Sequence, residues 1–166
     1  MTGTSTQPAR RRHDLLALAG FIAVCLAVSG IGGAITATSV GDWYQALQKP
    51  TFNPPDWIFA PVWTTLYVLM ATAAWRVWRL PASPARQSAL IVFVLQLALN
   101  LLWSLLFFGL QRIDLGLIEI VILLVCIVAT TILFWRNDVA AGVLVVPYVL
   151  WVGYASVLNG ALWLLN

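Results

Sequence analysis

The sequence predicts an all-α membrane protein, a five-transmembrane-helix bundle, from three observations. Of its 166 residues, 61% are hydrophobic and only 9% are charged, and the mean hydropathy of +0.91 is far above that of a water-soluble domain. Apolar stretches of about 18 or more residues recur along the chain, each long enough to cross about 30 Å of hydrocarbon as a helix that satisfies its own backbone. Alternating segments of about 10 residues, the mark of a membrane β-barrel, do not occur.

Span one runs from Leu15 to Gly41. Arg10, Arg11 and Arg12 before it resemble the start of a signal peptide, but the apolar run is about twice the normal length for one, so it reads as a retained helix. Residues 1–13 form an expected flexible basic segment, and residues 14–166 a single transmembrane domain. Ala19, Ala23 and Ala27 place a small residue at every fourth position, which permits close helix approach, and packing within the bundle is favoured over a dedicated dimer face. Gly30, Gly32 and Gly33 thin the far end.

The first connection, about residues 40–57, is long and has its own signals. Asp42 is expected to cap a short helix holding Trp43 and Tyr44, closed by Pro50. Pro50, Pro54 and Pro55 stiffen the second half of the connection, and Pro61 falls in the first turn of span two, where a missing N–H costs little. Long ordered loops are often functional. The loop therefore reads as a lid.

Span two, Trp57 to Trp75, aligns Trp63, Tyr67, Met70 and Ala74 on one face. Span three, Gln87 to Gln111, aligns Gln96, Asn100, Trp103 and Ser104, and the two amides must face inward to find partners. Whether they lock helices together or meet a ligand is open. Span four, Leu115 to Trp135, carries the lone mid-span carboxylate, Glu119; its nearness to Asp114 favours interfacial anchoring over a proton relay. Span five, Val139 to Asn166, aligns Pro147, Trp151 and Ala155, with Tyr148 and Tyr154 nearby. Pro147 should kink the helix or free a carbonyl, at a pocket border or for packing alone.

Tryptophans collect at membrane interfaces, which accounts for Trp75, Trp78, Trp135 and Trp163. Trp63, Trp103 and Trp151 lie deeper and are pocket candidates. Cys25 and Cys126 sit in apolar runs and read as packing residues. The basic residues gather on one side, with Lys49 and Arg112 on the other, which places the N-terminus in the cytoplasm. That distribution sets topology and does not suggest nucleic-acid binding. No Ser/His/Asp or Cys/His arrangement, metal-ligand spacing or phosphate loop occurs, so hydrolase and nucleotide-driven pump readings fall away. Short later connections predict antiparallel neighbours. No internal repeat marks the chain as a two-repeat transporter. What remains is an aromatic cavity with a few amides, suited to a flat hydrophobic ligand.

The stretches "WYQALQKPTFNPPDWIFAPVWTTLY" (Trp43 to Tyr67), "QLALNLLWSLLFF" (Gln96 to Phe108) and "PYVLWVGYASVLN" (Pro147 to Asn159) resemble the TspO/MBR family. Its members are also called translocator proteins, tryptophan-rich sensory proteins or peripheral-type benzodiazepine receptors. The resemblance runs from about Asp14 to the end. It implies a five-helix bundle, commonly a homodimer in the lipid bilayer, with a pocket closed by the first loop. It implies ligands such as protoporphyrin IX and haem, with no obligatory cofactor and no metal site. Some bacterial members degrade protoporphyrin in light and oxygen, and Trp63 and Trp151 match the tryptophans associated with that reaction. Tyr67, Asn100, Trp103 and Ala155 match further ligand-binding positions. Phe52 stands where many relatives have tryptophan, which keeps a ring for stacking but removes an N–H; separately, nothing basic follows Tyr154, which argues against carrying over cholesterol binding.

The expected function is therefore a membrane tetrapyrrole sensor or scavenger in a bacterial cell membrane, with photo-oxidative turnover of the porphyrin as a further expectation. A transporter of porphyrins or other amphipathic compounds and a membrane scaffold are the alternatives.

Overall fold

In the computed structural model, which describes residues 6–166 and side chains from Arg11 onward, every regular element is helical. Five helices are long and apolar enough to cross a membrane. They are α1 (Thr6–Ala37), α3 (Phe59–Trp78, entered through a 3-10 turn at Asp56–Ile58), α4 (Pro84–Ser104), α5 (Ile113–Asn137) and α6 (Val139–Leu165), with the short α2 (Trp43–Ala46) in the first connection. The protein is a multi-pass membrane protein. Because α1 begins at Thr6, residues 6–13 of the segment expected to be flexible are helical, and residues 1–5 lie outside the described part.

Helix order follows from connection length. A single residue, Asp138, separates α5 from α6, so the two must lie antiparallel and in contact, and they form the most extensive helix pair. Asp138 caps α6 by accepting from the Ala141 N–H at 3.1 Å, and it pairs with Arg76 of α3 at 2.9 Å. The turn needs a glycine at Gly142, where a Cβ would come within 2.8 Å of the Trp135 Cα. Ser83 caps α4 through the Arg86 N–H, with Pro84 at the first helical position, as sequence rules favour.

Helix α1 lies against α3 and α4. Its buried face is marked by Cys25 and Gly32, and Gly32 lets α1 approach α4 so closely that a Cβ there would stand 3.2 Å from the Ser104 Oγ. Ala19, Ala23 and Ala27 are exposed. The small-residue stripe thus faces away from the bundle, not into it, and packing within the chain does not explain it. Cys25 and Cys126 are both free and buried, in keeping with packing.

The basic residues Arg76, Arg79 and Arg86 share one end of the bundle with the start of α1, and Arg79 pairs with Asp14 at 3.0 Å. There the Trp75 indole donates to the Asp14 carbonyl at 2.9 Å and Trp78 stacks on His13. Trp135 and Trp163 are largely exposed, as interfacial side chains would be.

The last turn of α4 departs from α-helical geometry. Leu105–Gly109 widens into a π turn, with the Leu110 N–H reaching the Leu105 carbonyl at 2.8 Å, and Gln111 then adopts a left-handed φ of 55° to turn into α5. A π turn shifts later side chains off the 3.6-residue register. It brings Phe107 flat against Trp103, with ring centroids 5.1 Å apart, and Trp43 edge-on to Phe107 and Phe108. This aromatic cluster is the floor on which the first connection rests.

Candidate ligand-binding cavity

A cavity of about 540 Å³ opens between α1, α3, α4 and α6 under the first connection. Its size lies within the usual range for small-molecule sites. Trp63, Tyr67, Asn100, Trp103, Trp151 and Ala155, the residues expected at the site, all line it.

Asn100 is the organising polar group. Its side-chain oxygen accepts from the Tyr67 hydroxyl, and its Nδ2 donates to the Tyr148 hydroxyl at 2.7 Å. The amide therefore ties α3, α4 and α6 together while also standing in the cavity wall. Of the two uses the sequence left open, the locking of helices is what these hydrogen bonds show, and the amide also borders the cavity. Gln96, one turn earlier, is buried but donates to the Met70 sulfur at 3.8 Å and is not part of the wall. Trp103 donates to the Asn159 Oδ1 at 3.2 Å, and Asn159 in turn donates to the Ile113 carbonyl at 3.0 Å.

The two deeper tryptophans differ in a way that matters for binding. Trp63 leans on Tyr67 and meets Tyr148 edge-on, with centroids 5.9 and 6.1 Å away. Trp151 packs against Phe59 and Tyr154, and its indole N–H is buried with no hydrogen-bond partner in the protein. A buried donor without a partner costs about 1–3 kcal/mol, which a ligand bearing an acceptor would recover. Pro147, expected on the same face, is exposed and does not border the cavity. On α6 the cavity wall begins at Trp151 and continues to Leu162, and Pro147 lies one turn before its start.

The first connection covers the cavity and is pinned at several points. Ser39 donates to the Phe108 carbonyl at 2.8 Å, Tyr44 to the Asn53 Oδ1 at 2.8 Å, and Gln45 to the Asp56 carboxylate at 2.6 Å. From α6, the Tyr154 hydroxyl donates to the Phe52 carbonyl at 2.7 Å, and Asn166 exchanges hydrogen bonds with the Gln48 backbone at 2.9 and 3.1 Å. Tyr44 is buried against Phe107 and Phe108, and burial, followed by the nearby Asp56 charge, pushes its phenol up to about 12. Asp42 does not cap α2 with its side chain. Instead the Tyr44 N–H reaches the Ser39 carbonyl at 2.9 Å, and the helix stops at Ala46, ahead of Pro50, because Leu47 turns extended. Phe52 packs on Tyr154, outside the cavity lining.

Sequence reasoning did not place the α1 wall, Ser29, Gly33 and Thr36, or Phe107 and Asn159 in the site. The glycines of α1 were the available signal. The π turn that delivers Phe107 leaves no pattern in the residues.

These features define a class: a membrane protein of five spanning helices, four of which enclose an aromatic cavity beneath a pinned loop. The chain belongs to the TspO/MBR family, whose sequence pattern matches residues 21–164. It is 42% identical to the tryptophan-rich protein TspO of Chlorobaculum tepidum, over 92% of this chain and 98% of that protein. It is 41% identical to the protein CrtK of Rhodobacter capsulatus, over 86% of this chain and 89% of that one. With the human translocator protein the identity is 32%, over 73% of each chain.

Proposed function

We propose that this protein binds a flat tetrapyrrole, protoporphyrin IX or haem, in the cavity and serves as a membrane sensor or scavenger of it. The observation that carries this reading is the pairing of an aromatic-walled cavity with the unpartnered indole N–H of Trp151. Trp63 and Trp103 offer ring faces for a macrocycle, and Trp151 offers a donor to a polar substituent. No His, Cys or Met is among the lining residues, and the oxygen groups that could reach a metal are engaged, Tyr67 with Asn100, Tyr44 with Asn53 and the Asp56 carboxylate with Gln45. Haem would therefore be held by stacking and edge contacts without protein coordination of its iron, and metal-free protoporphyrin suits the donor set better.

An indole against a photoexcited macrocycle can give up an electron, with molecular oxygen as the final oxidant. Trp63 and Trp151 are the side chains we assign to such light- and oxygen-dependent degradation. The pinned lid supports binding and retention over rapid passage. Ligand movement into liposomes would favour the transporter reading instead. We place the protein in a bacterial cell membrane with its N-terminus in the cytoplasm, since Arg76, Arg79 and Arg86 share the end where α1 starts. A homodimer is part of the same proposal, and disulfide crosslinking of an Ala23→Cys variant tests the outward α1 stripe as its interface. The binding reading itself is tested by titrating purified protein with protoporphyrin IX: saturable quenching of tryptophan fluorescence supports it, and its absence refutes it.

A further inference from the structure

The residues that α4 and α6 contribute to the cavity wall are all buried or half-buried, but the opposite wall is open. Gly33 and Ala37 of α1 and Ala60 and Thr64 of α3 line the cavity and are nonetheless exposed, and a Cβ at Gly33 would meet nothing within 4 Å. At their other ends the same two helices are tied together by the Arg79 pair with Asp14 and by the Trp75 bond to the Asp14 carbonyl. The seam between α1 and α3 is therefore closed at the Asp14 end and parted at the lid end, and the cavity opens through it. Gln45 and Asp56, which also line the cavity and are exposed, stand where this opening meets the lid.

Among the described residues that line the cavity, Asp56 is the only one with a charged side chain. Gln45 donates to its Oδ2 at 2.6 Å, which holds the carboxylate at the opening without cancelling its charge. A carboxylate near the start of a helix is favourable in itself. What sets Asp56 apart is that its side chain borders the opening. The other charges at this end of the bundle do not offset it. Lys49, the one basic side chain of the first connection, lies with its Nζ 4.8 Å over the Tyr44 ring, donates to the Gln45 carbonyl at 3.2 Å and is outside the wall. Arg112 is paired with Asp114 at 2.6 Å, and Asp42 adds a second negative charge to the first connection.

We propose that Asp56 is a specificity-determining residue, which selects ligands whose polar end at the opening is cationic or a neutral hydrogen-bond donor and disfavours a carboxylate there. An anionic group in the opening meets a like charge and no basic side chain in the wall, and both raise the cost of taking it out of water. An ammonium or hydroxyl group is instead drawn to the Asp56 carboxylate in a charge-assisted hydrogen bond. Deeper in the cavity the unpartnered Trp151 N–H calls for an acceptor. The two ends together describe a flat molecule with a carbonyl or similar acceptor inside and a donor or cation at the mouth. On the tetrapyrrole reading, on which this last step rests, a macrocycle whose propionates are esterified or amidated is a better ligand than the free diacid.

Two pairs of ligands test the charge selection and the tetrapyrrole reading separately. The first pair is 1-pyrenebutylamine and 1-pyrenebutyrate, titrated at about pH 7 in uncharged micelles into wild type and Asp56→Asn, with quenching of tryptophan fluorescence as the readout. Asparagine keeps an acceptor for Gln45, and uptake of the probes by micelles is common to both proteins and cancels between them. The amine-to-acid affinity ratio should be about tenfold higher in wild type than in Asp56→Asn, and the difference should shrink in about 0.5 M salt. An equal ratio in the two proteins, or a lower one in wild type, overturns the proposal. Asp56→Ser removes the same charge and is read in the same way if Asp56→Asn does not fold. The second pair is protoporphyrin IX dimethyl ester and protoporphyrin IX, for which the ester-to-acid ratio should fall likewise in Asp56→Asn. Charge selection between the pyrenes without binding of either porphyrin upholds Asp56 and refutes the tetrapyrrole reading. Binding of both porphyrins with a ratio unchanged by Asp56→Asn does the reverse, and no binding of either pair refutes both.

Discussion

Asn100 donates to the hydroxyl of Tyr148 across 2.7 Å, joining α4 to α6 inside the bundle. With Tyr67 on its other side, the amide is satisfied by two helices at once. Replacing it by Leu leaves two buried hydroxyls without their partner. Asn100→Leu should lower unfolding stability in detergent by about 1–3 kcal/mol and weaken porphyrin binding as well, measured by thermal unfolding and fluorescence titration.

Trp151 behaves oppositely because its N–H has no protein partner to lose. Trp151→Phe should leave the melting temperature nearly unchanged and weaken binding of an acceptor-bearing porphyrin by about 5- to 150-fold. Parallel melting and titration curves check this. A large fall in melting temperature would show that the indole is structural.

The lid predicts a kinetic effect. Tyr154 holds the Phe52 carbonyl at 2.7 Å from outside the cavity lining, while the Gln48 and Asn166 contacts hold the same loop further along. Tyr154→Phe should speed ligand release several-fold with a smaller change in association, since most affinity changes appear in dissociation. Stopped-flow displacement measures both rates.

Asp138 gives a pH dependence of stability. Burial pushes its carboxyl up, but the N–H groups of Ala141 and Ala140 and the Arg76 guanidinium outweigh it and hold the group below the ordinary carboxylate value. A lowered folded value means that the unfolded chain binds this proton more readily. The stabilisation is complete above the unfolded value of about 4 and is lost as pH falls through the lower, folded value. Melting temperature should drop on acidification below about pH 4, and the drop should be smaller in Asp138→Asn.

The spans were legible because bilayer thickness imposes a length and a composition on each helix, and the five runs from Leu15 onward correspond to the five long helices. The aromatic and amide stripes of α3 and α4 were legible through helical spacing, which brings Trp63, Tyr67, Asn100 and Trp103 to one cavity. Other features depend on contacts that spacing does not encode. The outward turn of Ala19, Ala23 and Ala27 follows from which side of α1 meets α3, and the position of Phe107 follows from a π turn. Glu119 is buried with neither carboxyl oxygen hydrogen-bonded, so the interfacial-anchor reading drawn from its nearness to Asp114 does not hold.

Tetrapyrrole binding by the two deep tryptophans is best tested by one titration followed by illumination. Protoporphyrin IX is added to wild type, Trp63→Phe and Trp151→Phe in detergent, and tryptophan fluorescence and the Soret band are recorded before and after light in air. Saturable quenching in wild type, weakened in Trp151→Phe, with light-dependent Soret loss that is slowed in both variants, is the expected result. Absence of saturable quenching in wild type would contradict tetrapyrrole binding, and equal Soret loss in all three proteins would contradict the assignment of Trp63 and Trp151.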